Sequence, residues 1–254
     1  MTFSRVAVVT GASSGIGRAT AGRLASDGCA VLAVGRDDAA LAAVCQDIVA
    51  SGGHAAPLAV DVTTDDAPRR IVQEALTRFG RLDVLVNAAG IIASGSVADT
   101  KDDAWDYMMN VNVRAPFRLL REATPALVAA KGAVVNVSSV TGTRAFPGVA
   151  AYCVSKAAVD QLTRVAALEM AAAGVRVNAV NPGVVVTNLH KRSGMDEAKY
   201  AAFLDRAKET HPLGRPGAPE DVADLIVFLA SSKAGWVTGM TVNVDGGRHL
   251  TCLR

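Results

Sequence analysis

The feature that most narrows what this chain can fold into is an alternation: seven short apolar runs rich in β-formers, separated by longer stretches with helical spacing. The runs fall at 5 to 10, 30 to 35, 55 to 60, 82 to 87, 132 to 138, 175 to 181 and 240 to 245. Val6-Ala7-Val8-Val9 and Val84-Leu85-Val86 are apolar at consecutive positions, so both faces of each strand need cover. Strands of that kind belong in a parallel sheet, joined by right-handed βαβ crossovers. The expected architecture is α/β, a doubly wound parallel sheet of seven strands with helices on both faces, in one domain over residues 1–254. A ligand then belongs beyond the carboxyl ends of the strands, where the strand order reverses. Asn188 to Pro216 breaks the alternation. It is polar, carries short helical patterns between the sixth and seventh strands, and is expected to form a substrate lid at about 188–216.

Composition excludes several functions. The formal charge is +2, with acids and bases interspersed and no basic stripe, so nucleic acid is not expected as a partner. No apolar run is long enough to span a bilayer. The first strand begins by Arg5, leaving no space for a secretion signal, and Cys29, Cys45, Cys153 and Cys252 show no metal or disulfide spacing. A cytoplasmic protein with free thiols is expected. His54, His190, His211 and His249 are scattered, so no metal site is expected. Trp105 and Trp236 read as packing residues.

The first chemical signal is Thr10-Gly11-Ala12-Ser13-Ser14-Gly15-Ile16-Gly17, directly after the first strand and opening a helix that runs to about Asp27. Gly11 suits the tight turn, Gly15 lets backbone approach a pyrophosphate, and Gly17 lets helix and sheet pack closely. The helix N-terminus attracts negative charge, and the Ser13 and Ser14 hydroxyls can add donors. A second signal is Tyr152 with Lys156 one helical turn on. Reducing a carbonyl builds charge on oxygen that must be met by a donor and then a proton. A tyrosine supplies both if a neighbouring ammonium lowers its pKa from about 10. A serine at the end of the fifth strand, Ser138 or Ser139, can hold the substrate oxygen.

The spacing Gly-x-x-x-Gly-x-Gly, with Asn87-Ala88-Ala89-Gly90, Asn110-Val111-Asn112, Asn136-Val137-Ser138-Ser139, Tyr152-x-x-x-Lys156, Asn181-Pro182-Gly183 and Val244-Asp245-Gly246-Gly247 in that order, resembles the short-chain dehydrogenase/reductase family over nearly the whole chain. The resemblance implies a Rossmann-type sheet and a catalytic set of Asn112, Ser139, Tyr152 and Lys156. It selects Ser139 over Ser138, and implies that Asn112 bends a helix and anchors a water on the proton path to Lys156. It also implies a cofactor site made of Gly11, Ser13, Ser14, Gly15, Ile16, Gly17, Arg36, Asp61, Val62, Asn87, Ala88, Gly90, Pro182, Gly183, Val185 and Thr187, together with Tyr152 and Lys156.

The second strand ends at Gly35 where NAD enzymes commonly carry an acid, and Arg36 follows, able to pair with a 2′-phosphate. NADP(H) is favoured and NAD(H) is possible, because Asp37 and Asp38 stand beside the guanidinium. The expected activity is interconversion of a ketone or aldehyde and an alcohol. A 3-oxoacyl carrier-protein reductase, or a non-catalytic dinucleotide-binding regulator on the same fold, are the alternatives. Leu189, His190, Met195, Tyr200, Phe203 and Leu204, with Phe146 and Val149, are candidate substrate contacts for a small carbonyl or alcohol. Helix 157–168 is apolar nearly all round, so one side is expected to meet a second copy in a homodimer or homotetramer.

Overall fold

The structure is a computed structural model and describes residues 3–251, which leaves Cys252 outside. Seven parallel strands form one sheet in the order β3-β2-β1-β4-β5-β6-β7. They are β1 (Val6–Thr10), β2 (Ala30–Gly35), β3 (His54–Ala59), β4 (Val84–Asn87), β5 (Ala133–Val137), β6 (Arg176–Pro182) and β7 (Thr241–Val244). The expected fold is the observed one, with strand ends shifted by a residue or two. β1, β2 and β4 are buried at every position, as their unbroken apolar runs require. β3 carries Pro57, which a ladder tolerates at an edge, and β3 is an edge strand.

Alternate residues of each strand serve different layers. Ala7 and Val9 pack against Leu24 of α1 (Gly15–Ser26), Leu41 and Ile48 of α2 (Asp38–Ala50) and Ile226 of α9 (Pro219–Ala230). Val8 and Leu85 face the other way, against Ile71 of α3 (Ala67–Phe79), Leu119 and Leu127 of α5 (Ala115–Ala130) and Ala166 of α6 (Ala150–Met170). Helix α4 (Asp102–Met109) runs into α5 through a π-helical turn at Asn110–Arg114. The stretch between β6 and β7 holds α7 (Leu189–Arg192) and α8 (Glu197–Thr210), where short helical patterns are expected.

One sequence expectation fails. Trp236 is fully exposed, since it stands in the turn between the short helix at Ser232–Ala234 and β7, where no element covers it. The far side of α6 is open too: Val154, Val165 and Leu168 are exposed, as are Phe117 and Val128 of α5. Within one protomer the sheet covers only one side of α6.

The chain leaves β1 toward β2 and returns at β4, so the strand order reverses between β1 and β4. The two loops there touch closely. A Cβ on Gly11, which has φ +68°, would stand 2.9 Å from the Ala88 carbonyl oxygen and 2.9 Å from the Ala89 backbone. Thr10 joins them further, its hydroxyl oxygen accepting from the Ala88 and Ala89 amides at 3.1 Å each. Helix α1 lies so close to its own loop that a Cβ on Gly17 would come 2.3 Å from the Gly11 carbonyl oxygen. Gly17→Ala therefore has to displace backbone, and is expected to cost about 1–3 kcal/mol. The check is a lower urea midpoint at unchanged m-value; an unmoved midpoint contradicts the packing described.

Candidate active site

At this reversal point a cleft of about 370 Å³ opens. Gly11, Ser14, Gly15, Ile16 and Gly17 line it from the β1 loop, and Ala88 and Gly90 from the β4 loop. Pro182, Gly183, Val185 and Thr187 line it from the segment after β6. Ser14, at the N-cap of α1, makes no capping bond with its side chain, and the first turn contains no acid. The first amides of α1 and the positive end of its dipole are thus left for an anion. A Cβ on Gly15, at φ +54°, would stand 3.0 Å from Thr187 Cγ2, so only glycine leaves this approach open. These residues fit the pyrophosphate of a dinucleotide.

Other expected cofactor residues lie outside the cleft wall. Ser13 packs against Gly35, 3.5 Å from where its Cβ would be. Arg36 is exposed at the end of β2, and Asp37 is committed elsewhere, accepting from the Ala40 amide at 3.0 Å as the N-cap of α2. Asp61, after β3, accepts from the Thr63 amide at 2.9 Å and hydroxyl at 2.7 Å. Burial opposes its charge, but those bonds and the Arg36 guanidinium outweigh burial and hold the carboxyl below its usual range. Val62 borders a small void together with Thr10 and Asn87. Asn87 turns sideways in the sheet, donating to Asn136 Oδ1 at 2.9 Å.

Ser139, Tyr152 and Lys156 come together on the cleft wall. Helix α6 presents Tyr152 and Lys156 one turn apart, both buried, with the Lys156 Nζ 5.7 Å from the Tyr152 ring centroid. The Ser139 hydroxyl stands beside the phenol, favouring its charged form against burial, while its oxygen accepts from the Thr141 amide at 3.2 Å. Ser139 therefore caps the turn that follows β5 and also faces Tyr152. Ser138 borders the cleft too, but its hydroxyl is spent on the Lys156 carbonyl, to which it donates at 3.1 Å. Asn112 lies behind this group in the π-helical turn. It accepts from the Ile91 amide at 2.9 Å and donates to the Ile91 carbonyl and the Ser155 hydroxyl at 3.0 Å each. A Cβ on Gly90 would stand 3.4 Å from Asn112 Oδ1 and 3.5 Å from Lys156 Nζ, so Gly90 lies against both.

The electrostatics correct one sequence expectation. Burial pushes Tyr152 up to about 12, against the opposing effect of Ser139, so the net shift is upward and not the lowering expected from Lys156. Burial likewise draws Lys156 down to about 8, and Asp160 opposes that. Both charged forms lose hydration, and the ammonium is spent on the Val137 carbonyl at 2.9 Å rather than on the phenol. The phenol is thus a proton donor throughout the neutral range.

Sequence reading missed several residues. Asp160 is buried one turn beyond Lys156, and its carboxyl, raised by burial, accepts from Asn181 Nδ2 at 2.9 Å. The spacing Tyr152, Lys156, Asp160 was its signal. Thr141 lines the cleft with a buried hydroxyl that has no partner among the described residues. Arg192 and Arg248 line it as well, and nothing in the sequence marked them. Of the expected substrate contacts, Phe146, Val149, Leu189, His190 and Phe203 reach the cleft. Met195, Tyr200 and Leu204 do not, and the Tyr200 hydroxyl instead donates to the Thr187 carbonyl at 2.9 Å.

Known proteins resemble this chain in sequence and in fold. The family model described as Enoyl-(Acyl carrier protein) reductase matches residues 11–249. A 3-oxoacyl-[acyl-carrier-protein] reductase of Staphylococcus aureus is 38% identical, over 98% of this chain and 100% of its own. A 3beta-hydroxysteroid dehydrogenase of Mediterraneibacter gnavus is 38% identical, over 96% of this chain and 94% of its own. Among solved structures, a short-chain dehydrogenase/reductase of unknown function from Caenorhabditis elegans, solved with cofactor, superposes with a TM-score of 0.93 at 35% identity, covering 98% of this chain and 97% of that one. The chain belongs to the short-chain dehydrogenase/reductase family and is an oxidoreductase acting on alcohol and carbonyl groups with a nicotinamide dinucleotide.

Proposed function

We propose that this enzyme interconverts a small ketone or aldehyde and the corresponding alcohol, with NADP(H) as its preferred dinucleotide and Ser139, Tyr152, Lys156 and Asn112 as its working residues. The observation that carries this reading is the buried phenol of Tyr152 on the wall of the cleft, beside Ser139 and one turn from Lys156. The dinucleotide supplies or accepts the hydride. Ser139 holds the carbonyl oxygen, and Tyr152 gives that oxygen its proton. Lys156 contributes positive charge beside the developing alkoxide, where exclusion of water strengthens it. Asn112 fixes the Ile91 loop against α6, and the family resemblance adds a water between it and Lys156.

Arg36 supports the NADP(H) preference, because it is exposed at the end of β2 while Asp37 is occupied as a helix cap. Helices α7 and α8 act as the lid, in one domain over the whole chain. The exposed apolar residues of α5 and α6 form the face through which two or four copies assemble. Cys29 and Cys45 are free, buried and raised in pKa by burial, which suits the reducing cytoplasm. A second reading, reduction of 3-oxoacyl thioesters, is favoured by relatives that carry that name. The turn between α5 and β5 offers a carrier protein only Lys131 ahead of Gly132.

Three outcomes test the proposal. Tyr152→Phe is expected to lower kcat by about 10²- to 10⁴-fold in a nicotinamide absorbance assay with a panel of ketones, while dinucleotide binding by fluorescence titration is retained. Undiminished turnover contradicts it. The Lys156 charge is present below about pH 8 and is lost above it, so kcat/KM for reduction is expected to fall as pH rises through about 8. A profile flat from pH 6 to 10 removes the ammonium from the account. Arg36→Asp is expected to raise KM for NADPH at least about tenfold and leave KM for NADH level or lower; equal effects on both cofactors would place the 2′-phosphate elsewhere.

A further inference from the structure

We propose that the cleft selects carbonyl substrates that also carry an anionic group, carboxylate or phosphate, which Arg248 binds with help from Arg192. The inference deepens the carbonyl–alcohol reading above and rests on it. Arg248 and Arg192 line the same cleft as Tyr152 and Ser139. Arg192 is exposed at the end of α7, whereas Arg248 is half-buried in the short 3₁₀ turn Arg248–Leu250 that follows β7. Its side chain is held in place from two directions. The guanidinium lies 5.1 Å from the Phe146 ring centroid and donates to the Thr210 hydroxyl at 3.0 Å. Arg144 lies 5.9 Å from the same ring and pins the chain around Arg248 by donating to the carbonyls of Arg248 at 2.8 Å, His249 at 3.0 Å and Thr251.

What this guanidinium lacks is an acid. No carboxylate among the described residues comes within ion-pair distance of Arg248, Arg192 or Arg144. The acid that acts on Arg248 is Asp245, and Asp245 is already committed. Its two oxygens accept from the Gly247 amide at 3.0 Å, the His249 amide at 2.7 Å and the His249 ring at 3.0 Å. The other charges acting on Arg248 are Arg144 and Arg206, both cations, and burial weighs on it more than either. His190, its ring 4.4 Å from that of Phe203 and tilted 52° to it in the same wall, is held below its usual range by burial and then by Arg248. A half-buried cation in a positive field, fixed by an aromatic ring and a backbone clip, is unfavourable until an anion meets it. The cleft is the open side from which that anion can come.

The test compares matched substrates on the holoenzyme with NADPH. 4-Oxopentanoate and 6-oxoheptanoate span two distances between carbonyl and carboxylate; their methyl esters remove the charge, and 5-oxohexylphosphonate replaces the carboxylate. The wild type is expected to favour at least one acid or the phosphonate over the neutral ester by about tenfold or more in kcat/KM, expressed in KM. Whichever of the two anions shows the larger preference identifies the ligand chemistry. Arg248→Gln, which keeps a donor for Thr210, is expected to reduce that acid-to-ester ratio to near one, and Arg248→Lys to retain part of it. Reduction of the esters with no preference for any anion, or a ratio unchanged in Arg248→Gln, overturns the inference and leaves the oxidoreductase reading standing. Reduction of no member by the wild type takes down the small-ketone reading and the inference with it.

Discussion

Everything at the site depends on how α6 is seated against the carboxyl ends of β5 and β6. The seating is polar and buried. Thr163 accepts from Asn136 Nδ2 at 2.9 Å, and Asn136 in turn accepts from Asn87, so one row of side chains runs from α6 through β5 to β4. One turn nearer the cleft, Asn181 of β6 bridges the Asp160 carboxyl and the Ser139 carbonyl at 2.9 and 3.0 Å. At the end of the row Lys156 donates to the Val137 carbonyl while Ser138 donates to the Lys156 carbonyl. Each of these groups would be costly to bury without its partner. The helix therefore has one rotation and one height at which these bonds all form together, and in that pose Tyr152 faces the cleft.

The same burial that seats the helix sets its acid–base character. Dehydration penalises phenolate and ammonium alike, so the phenol keeps its proton and the lysine sits near the edge of the physiological range. Spacing along a helix says that two groups are close; it does not say whether attraction or dehydration governs them. Here the ammonium's best hydrogen bond is to backbone, and dehydration governs.

Much of the fold was legible because each strand is an unbroken apolar run and each connection has helical spacing, which leaves few ways to arrange the layers. The glycine turn was legible because Gly11, Gly15 and Gly17 answer physical demands that no other residue meets: two positive φ angles and a backbone approach of 2.3 Å. Tyr152, Lys156 and Ser139 were legible through their order and their resemblance to a family. Residues that act across the fold were not. Arg248 reaches the cleft only because β7 delivers it beside the loop containing Phe146, more than a hundred residues earlier in the chain. Asp160 and Asn181 meet because α6 lies across the end of β6. Met195, Tyr200 and Leu204 read as pocket residues by hydrophobicity alone, and the helix they sit on or near turns them elsewhere; Tyr200 is instead a brace for the Thr187 carbonyl.

The central claim is positional: one face of α6, the end of β5 and the first turn of α1 form a single reaction site. Its most direct measurement is a crystal structure of the protein with NADP(H) bound. The account predicts pyrophosphate density against the amides of Gly15 to Gly17, with the nicotinamide ring beside the Tyr152 phenol and the Ser139 hydroxyl. A dinucleotide bound with its nicotinamide on the far side of β1, out of reach of Tyr152, would contradict it.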